Sequence, residues 1–518
     1  MKWKGKSAIR KEVKVRGWAL APSLDPRFAS TDVAELQLSI RGTVVRPEDV
    51  DYHRDRQLSN FAFQEFPLLI IYCEVFYDVW YCIQFARKFK VPIVLRSGGH
   101  STAGFSVSSG IVIDLSRMNS VVVDAAARRA VVGPGTKFSH LNAALDHFDL
   151  HVPGGVCQDV CVAGFMQGGG YGLTSRQFGM NCDNVVEIML MLADGRIVIA
   201  NETKNKDLFW AVRGGTGGNF GVVLQITYQL HEIGKTWGFG IEWPLRNRED
   251  KIKAALVLER LQSGYMREGA PCQLGYQAFV GWQKGEPCLM LRGIYNGPRE
   301  EGKKVLGPLL RIASHEVKFD KFESFYVIDK ILYDEPTMVP EVPDLAREDK
   351  QSGFVERPIA AANWRKIIDA FLRSPNRWSL FAIEPFGGAI AAVERDANAF
   401  IHRSVDMDVY VDVFWMTEEQ RCEAVRFLDE FMAVMQPYFN GQAYQNYPRA
   451  SQTDYRKLYW GDSFDRLLDV KQAVDPEGFF TYLQGISPNP TGSSKAKRKS
   501  KPPSKIAPVI YETFSKHV

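Results

Sequence analysis

Arg96-Ser97-Gly98-Gly99-His100-Ser101-Thr102-Ala103-Gly104, and further on Gly154-Gly155-Val156-Cys157-Gln158-Asp159-Val160-Cys161-Val162-Ala163-Gly164, carry the strongest signal in this 518-residue chain. The first offers successive backbone N–H groups with almost no side-chain bulk, which suits a pyrophosphate as well as it suits a tight turn. It does not have the G-x-G-x-x-G spacing of a nicotinamide dinucleotide site, so NAD is disfavoured. Taken alone, His100 reads as a hydrogen-bonded loop side chain. The second stretch continues into Gly168-Gly169-Gly170-Tyr171-Gly172, and its seven glycines let the main chain run close along a ligand. Cys157 and Cys161 lie in this loop, whereas the other six cysteines sit mostly in apolar runs, where a small buried thiol is the ordinary reading. No CxxC pair or zinc-like spacing occurs, and no metal is expected.

Working outward, Leu69-Ile70-Ile71-Tyr72 reads as a short buried strand. Residues 74 to 90 carry Val79, Ile83, Ala86 and Phe89 at helical spacing, and Val91 to Arg96 is a second strand. His100 therefore falls just past the carboxyl end of a strand, where α/β units bind ligands. Further strands are read at 111–115, 121–124 and 130–133, a helix at about 137–148, and a glycine-rich loop at 164–172. Val185 to Leu192 and Arg196 to Ala200, joined through Asp194-Gly195, form a hairpin. A helix at 207–213, a glycine turn at 214–218 and a strand at 221–230 close this region. From about Lys235 the pattern shifts to helices alternating with amphipathic strands at 272–279, 288–295 and 407–416, followed by a helix at about 417–435. That predicts an antiparallel sheet with one buried face.

Length and a 45% hydrophobic composition allow two domains or one bipartite domain. No stretch approaches the roughly 20 apolar residues of a bilayer span. The basic start, Met1 to Lys6, is not followed by the apolar segment of a secretory signal, so a cytoplasmic or undefined location is expected. Residues 1–16 hold seven Lys/Arg against one Glu, and residues 495–505 hold six Lys/Arg and no acid. Taking these two +6 ends from the +4 total leaves about −8 on the body, which argues against a nucleic-acid groove. The tail at 495–518 reads as disordered.

The two loops, taken together, resemble the berberine bridge enzyme-like branch of the vanillyl-alcohol oxidase superfamily. The resemblance implies FAD bound covalently at two points, through His100 at the ring's 8α-methyl and through Cys157 at C6. It further implies cofactor contacts from Arg96, Ser97, Gly98, Gly99, Ser101, Gly104, Gly164, Gly168, Gly169, Gly172, Val223 and Asn446. The chain departs from the usual pattern in carrying Gln158 rather than proline after the cysteine. Val160 matches the position at which a valine leaves room for O2 beside the flavin and a larger aliphatic residue shuts it out, which favours an oxidase. Asn181-Cys182-Asp183-Asn184 and Asn219-Phe220-Gly221-Val222-Val223 also match. So does an ordered run of C-terminal motifs: Tyr444-Gln445-Asn446-Tyr447, Tyr459-Trp460-Gly461, Asp475-Pro476 and Gln484-Gly485-Ile486. Tyr447 matches the tyrosine that removes the substrate hydroxyl proton as hydride leaves for flavin N5. The sequence names no group to stabilise its phenolate, whose ordinary pKa is about 10. Glu384, His402, Tyr410 and Asp412 are further candidates for the cleft, alternation allowing only half of such strand positions to face it.

The implied fold is α+β, a two-part PCMH-type FAD-binding domain with an inserted substrate domain built on an antiparallel sheet flanked by helices. The expected division is 1–236 and 438–494 for the FAD domain and 237–437 for the insertion. The implied reaction is oxidation of an alcohol or lactol carbon with return of electrons to O2 as H2O2, a carbohydrate or oligosaccharide being the expected substrate. A tailoring oxidase of secondary metabolites is the alternative, and a flavin-binding protein without turnover a third. Partners are a small-molecule substrate and O2, with no nucleic acid and no membrane, in a monomer or homodimer.

Overall fold

Continuous apolar runs such as Leu69–Tyr72 and Ile111–Asp114, without polar alternation, are what strands covered on both faces require. In the computed structural model, which describes residues 26–267, 269–334 and 341–488, Leu69–Tyr72 and Ile93–Arg96 each pair in parallel with Ile111–Asp114. Thr43–Val45 adds an antiparallel edge. The crossover helix Phe76–Phe89 starts where the Asp78 carboxylate accepts backbone N–H bonds from Glu74 and Val75, and it ends at Lys90 in the left-handed region (φ 54°). Val79, Cys82, Ile83 and Ala86 bury its inner face. The His100 loop leaves the carboxyl end of Ile93–Arg96, as expected.

A second, antiparallel sheet runs in the order Val121–Asp124, Arg129–Val132, Val222–Gln229, Val185–Met191, Ile197–Asn201. Its last pair is the hairpin read from Asp194-Gly195, with Gly195 at φ 86°. The Cys157 loop is pinned beside it. Phe138 N–H donates to the Val160 carbonyl (3.0 Å) and Ser139 N–H to that of Gln158 (3.0 Å), so the start of helix Phe138–Asp146 fixes the loop's path. Residues 164–172, expected as loop, instead begin inside a short helix, Val162–Gln167. Val162, Ala163 and Met166 bury one face of that turn, which outweighs the cost of about 1 kcal/mol for Gly164 in a helix. Gly169 and Gly170, at φ 109° and 82°, then end it.

The third sheet has seven antiparallel strands, in the order Glu316–Ser324, Lys235–Pro244, Glu286–Tyr295, Leu274–Gln283, Leu380–Pro385, Met407–Trp415, Arg347–Val355. Alternation sorts its faces. Val409, Val411 and Val413, with Phe381 and Ile383, join Trp364, Phe371 and Phe431 in a core shared with helices Arg248–Tyr265, Ala361–Phe371 and Glu418–Met435. One buried face was the expectation, yet every residue of Met407–Trp415 is buried. The reason is tertiary: the polar positions Asp408, Tyr410 and Asp412 share the opposite face, and residues from elsewhere in the chain close over it, Tyr447 packing on the Tyr410 ring with centroids 4.6 Å apart.

The chain returns from this sheet to the first half through residues 439–447. Phe354 N–H donates to the Gln442 carbonyl, and Tyr444 N–H to Ser352 Oγ. Lys471, fully buried in helix Phe464–Val474, locks the return. Its ammonium donates to Asp475 Oδ2 (2.6 Å) and to the carbonyls of Asn219 (2.6 Å) and Phe480 (2.7 Å). The basic N-terminus and the 495–518 tail, read as disordered, lie outside the described residues. No helix among the described residues is long and apolar enough to cross a membrane.

Candidate functional site

Between the first two sheets and the polar face of the third lies a cavity of about 450 Å³. Of the sequence-predicted residues, Ser97, Gly98, Gly99, His100 and Ser101 line it from the first loop, and Cys157, Val160, Gly164 and Gly172 from the second. Val223, Asn446 and Tyr447 complete the set. Arg96, Gly104, Gly168 and Gly169 do not line the cavity, and packing explains each. Arg96 is buried and paired with Asp114. A Cβ at Gly104 would meet the Phe63 ring at 2.3 Å, one at Gly168 the Asn446 amide at 1.9 Å, and one at Gly169 the Phe400 ring at 2.5 Å. Gly164 is the opposite case: it lines the cavity, and a Cβ there meets no protein atom within 4 Å.

The two attachment candidates meet at one peptide. Burial pulls the His100 imidazole down to about 4, against a compensating bond to the Asp159 backbone, so the ring is neutral at pH 7 with a lone pair to offer. Burial pushes the Cys157 thiol up, an effect that the Asp159 backbone and the Tyr333 side chain reduce. Asp159 itself is held by Lys137 Nζ at 2.9 Å, and Tyr333 Oη lies 3.5 Å from its Oδ2. Cys161 is turned away and donates to the Gly135 carbonyl (3.2 Å).

Tyr447 stands on the opposite wall. Its hydroxyl lies 3.1 Å from both oxygens of Glu384, whose Oε1 also accepts from Gln277 Nε2 (2.5 Å). Gln277 is in turn oriented by Arg292, which donates to its Oε1 at 2.9 and 3.1 Å. Burial raises Glu384 to about 7 despite the bonds from Gln277 and Tyr447, and it raises Tyr447 well above the ordinary phenol range, with the Glu384 charge adding to the effect. At neutral pH the pair therefore consists of a protonated phenol donating to a carboxylate poised near its midpoint. Tyr447 is positioned from behind by Tyr444, whose hydroxyl accepts from the N–H groups of Gly170 and Tyr171 and from Asn446 Nδ2.

Lys350 was not singled out in the sequence, nor were Glu348, Gln277, Arg292 and Tyr333. The Lys350 ammonium lies 4.5 Å from the ring centroid of Tyr447 and 4.6 Å from that of Tyr410. It is 3.1 Å from Asp412 Oδ1 and 3.7 Å from Glu348 Oε1. Burial pulls Lys350 down, but Asp412 and Glu348 outweigh it and hold the ammonium above its usual value, so it is a permanent cation. The one available signal was spacing: Glu348 and Lys350 stand two apart in a strand, hence on one face. Of the four further candidates, Glu384, Tyr410 and Asp412 line the cavity. His402 does not; it is buried between Gln442 (2.9 Å) and Gln445 (3.1 Å).

This arrangement combines a side-chain-poor wall, a neutral imidazole and a thiol opening toward one space, and a phenol–carboxylate pair across from them. Those features suit a flavin held beside a hydroxyl-bearing substrate. Among the described residues no group of three or more His, Cys, Asp or Glu is arranged to hold a metal ion. Residues 67–201 match the FAD binding domain family, and residues 443–487 the family described as berberine and berberine like. The chain is 32% identical over 464 residues to the FAD-linked oxidoreductase YvdP of Bacillus subtilis, covering 87% of this chain and 99% of the relative. It is 26% identical over 468 residues to a carbohydrate oxidase of Microdochium nivale, covering 85% and 92%. Among solved structures, BBE-like 1 of Physcomitrella patens superposes with a TM-score of 0.79 at 24% identity, covering 88% of this chain and 99% of the other, a likeness that establishes the PCMH-type fold.

Proposed function

Because this chain belongs to the berberine bridge enzyme-like family of FAD-linked oxidases, we propose that it holds FAD bicovalently through His100 and Cys157 and oxidises an alcohol or lactol carbon of a carbohydrate. The observation that carries the reading is the bond from Tyr447 to both oxygens of Glu384, across one cavity from His100 and Cys157. Bound there, FAD supplies hydride acceptance and the return of electrons to O2, giving H2O2.

The chain's own residues handle the proton. As hydride departs, the substrate hydroxyl gives its proton to Tyr447 Oη while Tyr447 gives its own to Glu384. Tyr447 is thus a relay and Glu384 the final acceptor. A carboxylate near 7 is better matched to that task at neutral pH than a phenol raised above 10. The Lys350 cation over the Tyr447 face favours the negative charge that develops on the ring as the two transfers fall out of step. Phe279 and Tyr410 pack with Tyr447, the Tyr410 and Tyr447 ring centroids lying 4.6 Å apart, so one side of the pair is apolar.

Polar side chains support a sugar substrate. Gln277, Arg292, Glu348, Lys350 and Asp412 present donors and acceptors from one sheet face into the cavity, a pattern suited to several ring hydroxyls. The division consistent with this reading puts the FAD wall in 1–236 and 438–494 and the substrate wall in 237–437. Val160 on the cavity wall is assigned to admitting O2. The test is anaerobic mixing of the holoenzyme with a panel of mono- and oligosaccharides and a panel of aromatic alcohols and alkaloids, followed by admission of air. Bleaching of the flavin by a sugar, with stoichiometric H2O2 on reoxidation, supports the assignment. Bleaching by the aromatic panel alone moves it to a tailoring oxidase, and bleaching by neither overturns turnover of these classes.

A further inference from the structure

The double attachment proposed above raises a chemical problem at Cys157. The partly buried Cys157 thiol must lose its proton to form a carbon–sulfur bond, and the burial it does have disfavours the thiolate. The surroundings of the sulfur contain a way out. Tyr333, near the end of helix Phe325–Asp334 in the substrate half of the chain, lines the same cavity as Cys157, and its side chain favours the thiolate there. The Tyr333 hydroxyl lies 3.5 Å from Asp159 Oδ2. The Asp159 side chain is 32% exposed and is paired with Lys137, which is 52% exposed, so a proton reaching this carboxylate has reached solvent. Thiol, phenol and carboxylate thus run in order from the cavity to the surface.

We propose that Tyr333 and Asp159 form a proton relay serving flavin attachment at Cys157, a role separate from the Tyr447–Glu384 pair that serves the substrate. As the sulfur bonds to the ring carbon, the thiol proton passes to Tyr333 Oη while the Tyr333 proton passes to Asp159 Oδ2 and on to water. The two electrons released when the ring C–H is replaced by C–S go to O2, which takes up two protons. In sum, one thiol, one ring C–H and one O2 give one C–S bond and one H2O2. Lys137 holds the Asp159 carboxylate in the accepting position. The Asp159 peptide, which also bonds His100, keeps the two attachment residues in fixed relation. Because Tyr333 belongs to the inserted half, the relay is complete only when that half has docked on the Cys157 loop. The second bond is therefore made on a folded molecule.

The experiment reads attachment, not turnover. Wild type, Tyr333→Phe and Asp159→Asn are isolated at successive times after expression is halted, denatured, treated with a thiol alkylator and digested. The His100 and Cys157 peptides are then quantified by mass. The relay predicts that all three keep flavin on His100, that wild-type Cys157 is blocked, and that both variants block Cys157 at least about tenfold more slowly. Wild-type Cys157 that takes the label throughout overturns the double attachment itself. Variants that block Cys157 as fast as wild type overturn the relay alone. If Tyr333→Phe fails to accumulate as a flavoprotein, Asp159→Asn, a change at the partly exposed end, decides between these outcomes.

Discussion

Replacing Glu384 by Gln keeps the size of the side chain and one oxygen facing Tyr447 but removes the charge that receives the proton. In the structure that carboxylate is fully buried, 3.1 Å from Tyr447 Oη through both oxygens, and further held by Gln277 at 2.5 Å. A hydrogen bond to a charged acceptor contributes about 1.5–3 kcal/mol against about 1 kcal/mol for a neutral one. Loss of the proton acceptor removes a further general-base contribution of about 10²–10⁴ in rate, or about 2.7–5.4 kcal/mol of barrier. The expected result is a flavin spectrum and thermal transition close to wild type, with anaerobic flavin reduction slowed by two to four orders of magnitude. The pH profile adds a second reading. Burial puts Glu384 at about 7, so it is protonated, and unable to accept, below that value. In wild type the reduction rate rises with pH through about 7 and levels above it, and in Glu384→Gln this limb disappears. Stopped-flow reduction across pH 5 to 9 makes both measurements. A variant that reduces within about threefold of wild type, or that retains the same limb, refutes the assignment of Glu384 as the final acceptor.

Lys350→Met removes the cation over the Tyr447 ring. A desolvated cation–π contact of about 2 kcal/mol corresponds to reduction about 30-fold slower at neutral pH, and an unchanged rate removes Lys350 from the account. Val160→Leu on the cavity wall should leave anaerobic reduction intact and slow reoxidation by air by at least an order of magnitude, seen by mixing the reduced enzyme with oxygenated buffer; equal reoxidation rates assign Val160 to packing only. Lys471→Met leaves the fully buried Asp475 carboxylate with only the Phe479 and Phe480 N–H donors and no cation, and breaks the bonds to the Asn219 and Phe480 carbonyls. It should cost about 3–5 kcal/mol in urea unfolding, with a loss below about 1 kcal/mol counting against the lock.

What the sequence revealed of this molecule, and what it hid, follows from the range of the interactions involved. The strand–helix–strand unit around His100 and the Asp194-Gly195 hairpin are set by contacts within a few residues and by glycine geometry, and they stand where the pattern put them. The helix at Val162–Gln167 was read as loop because Gly164 masks a buried turn whose burial comes from elsewhere in the chain. The substrate wall was hidden for the same reason at longer range. Glu348 and Lys350 lie in Arg-Glu-Asp-Lys-Gln, a run as polar as any solvated edge, and register with Asp412 across a gap of dozens of residues makes them cavity residues. Alternation in Met407–Trp415 correctly separated Tyr410 and Asp412 from the valines; it could not say that the polar face would be closed over by the other half of the chain. Glu384 stood among the candidates, but its bond to Tyr447 joins residues 63 positions apart and no local pattern announces it.

Both proposed proton paths presuppose one flavin tethered to this polypeptide by an imidazole and a sulfur. Mass spectrometry of the denatured, desalted protein, expressed with ample riboflavin, tests it most directly. The expected chain is heavier by one FAD, with single His100→Ala and Cys157→Ala variants still carrying it and the double variant carrying none. A polypeptide weighing only what its amino acids sum to would contradict it.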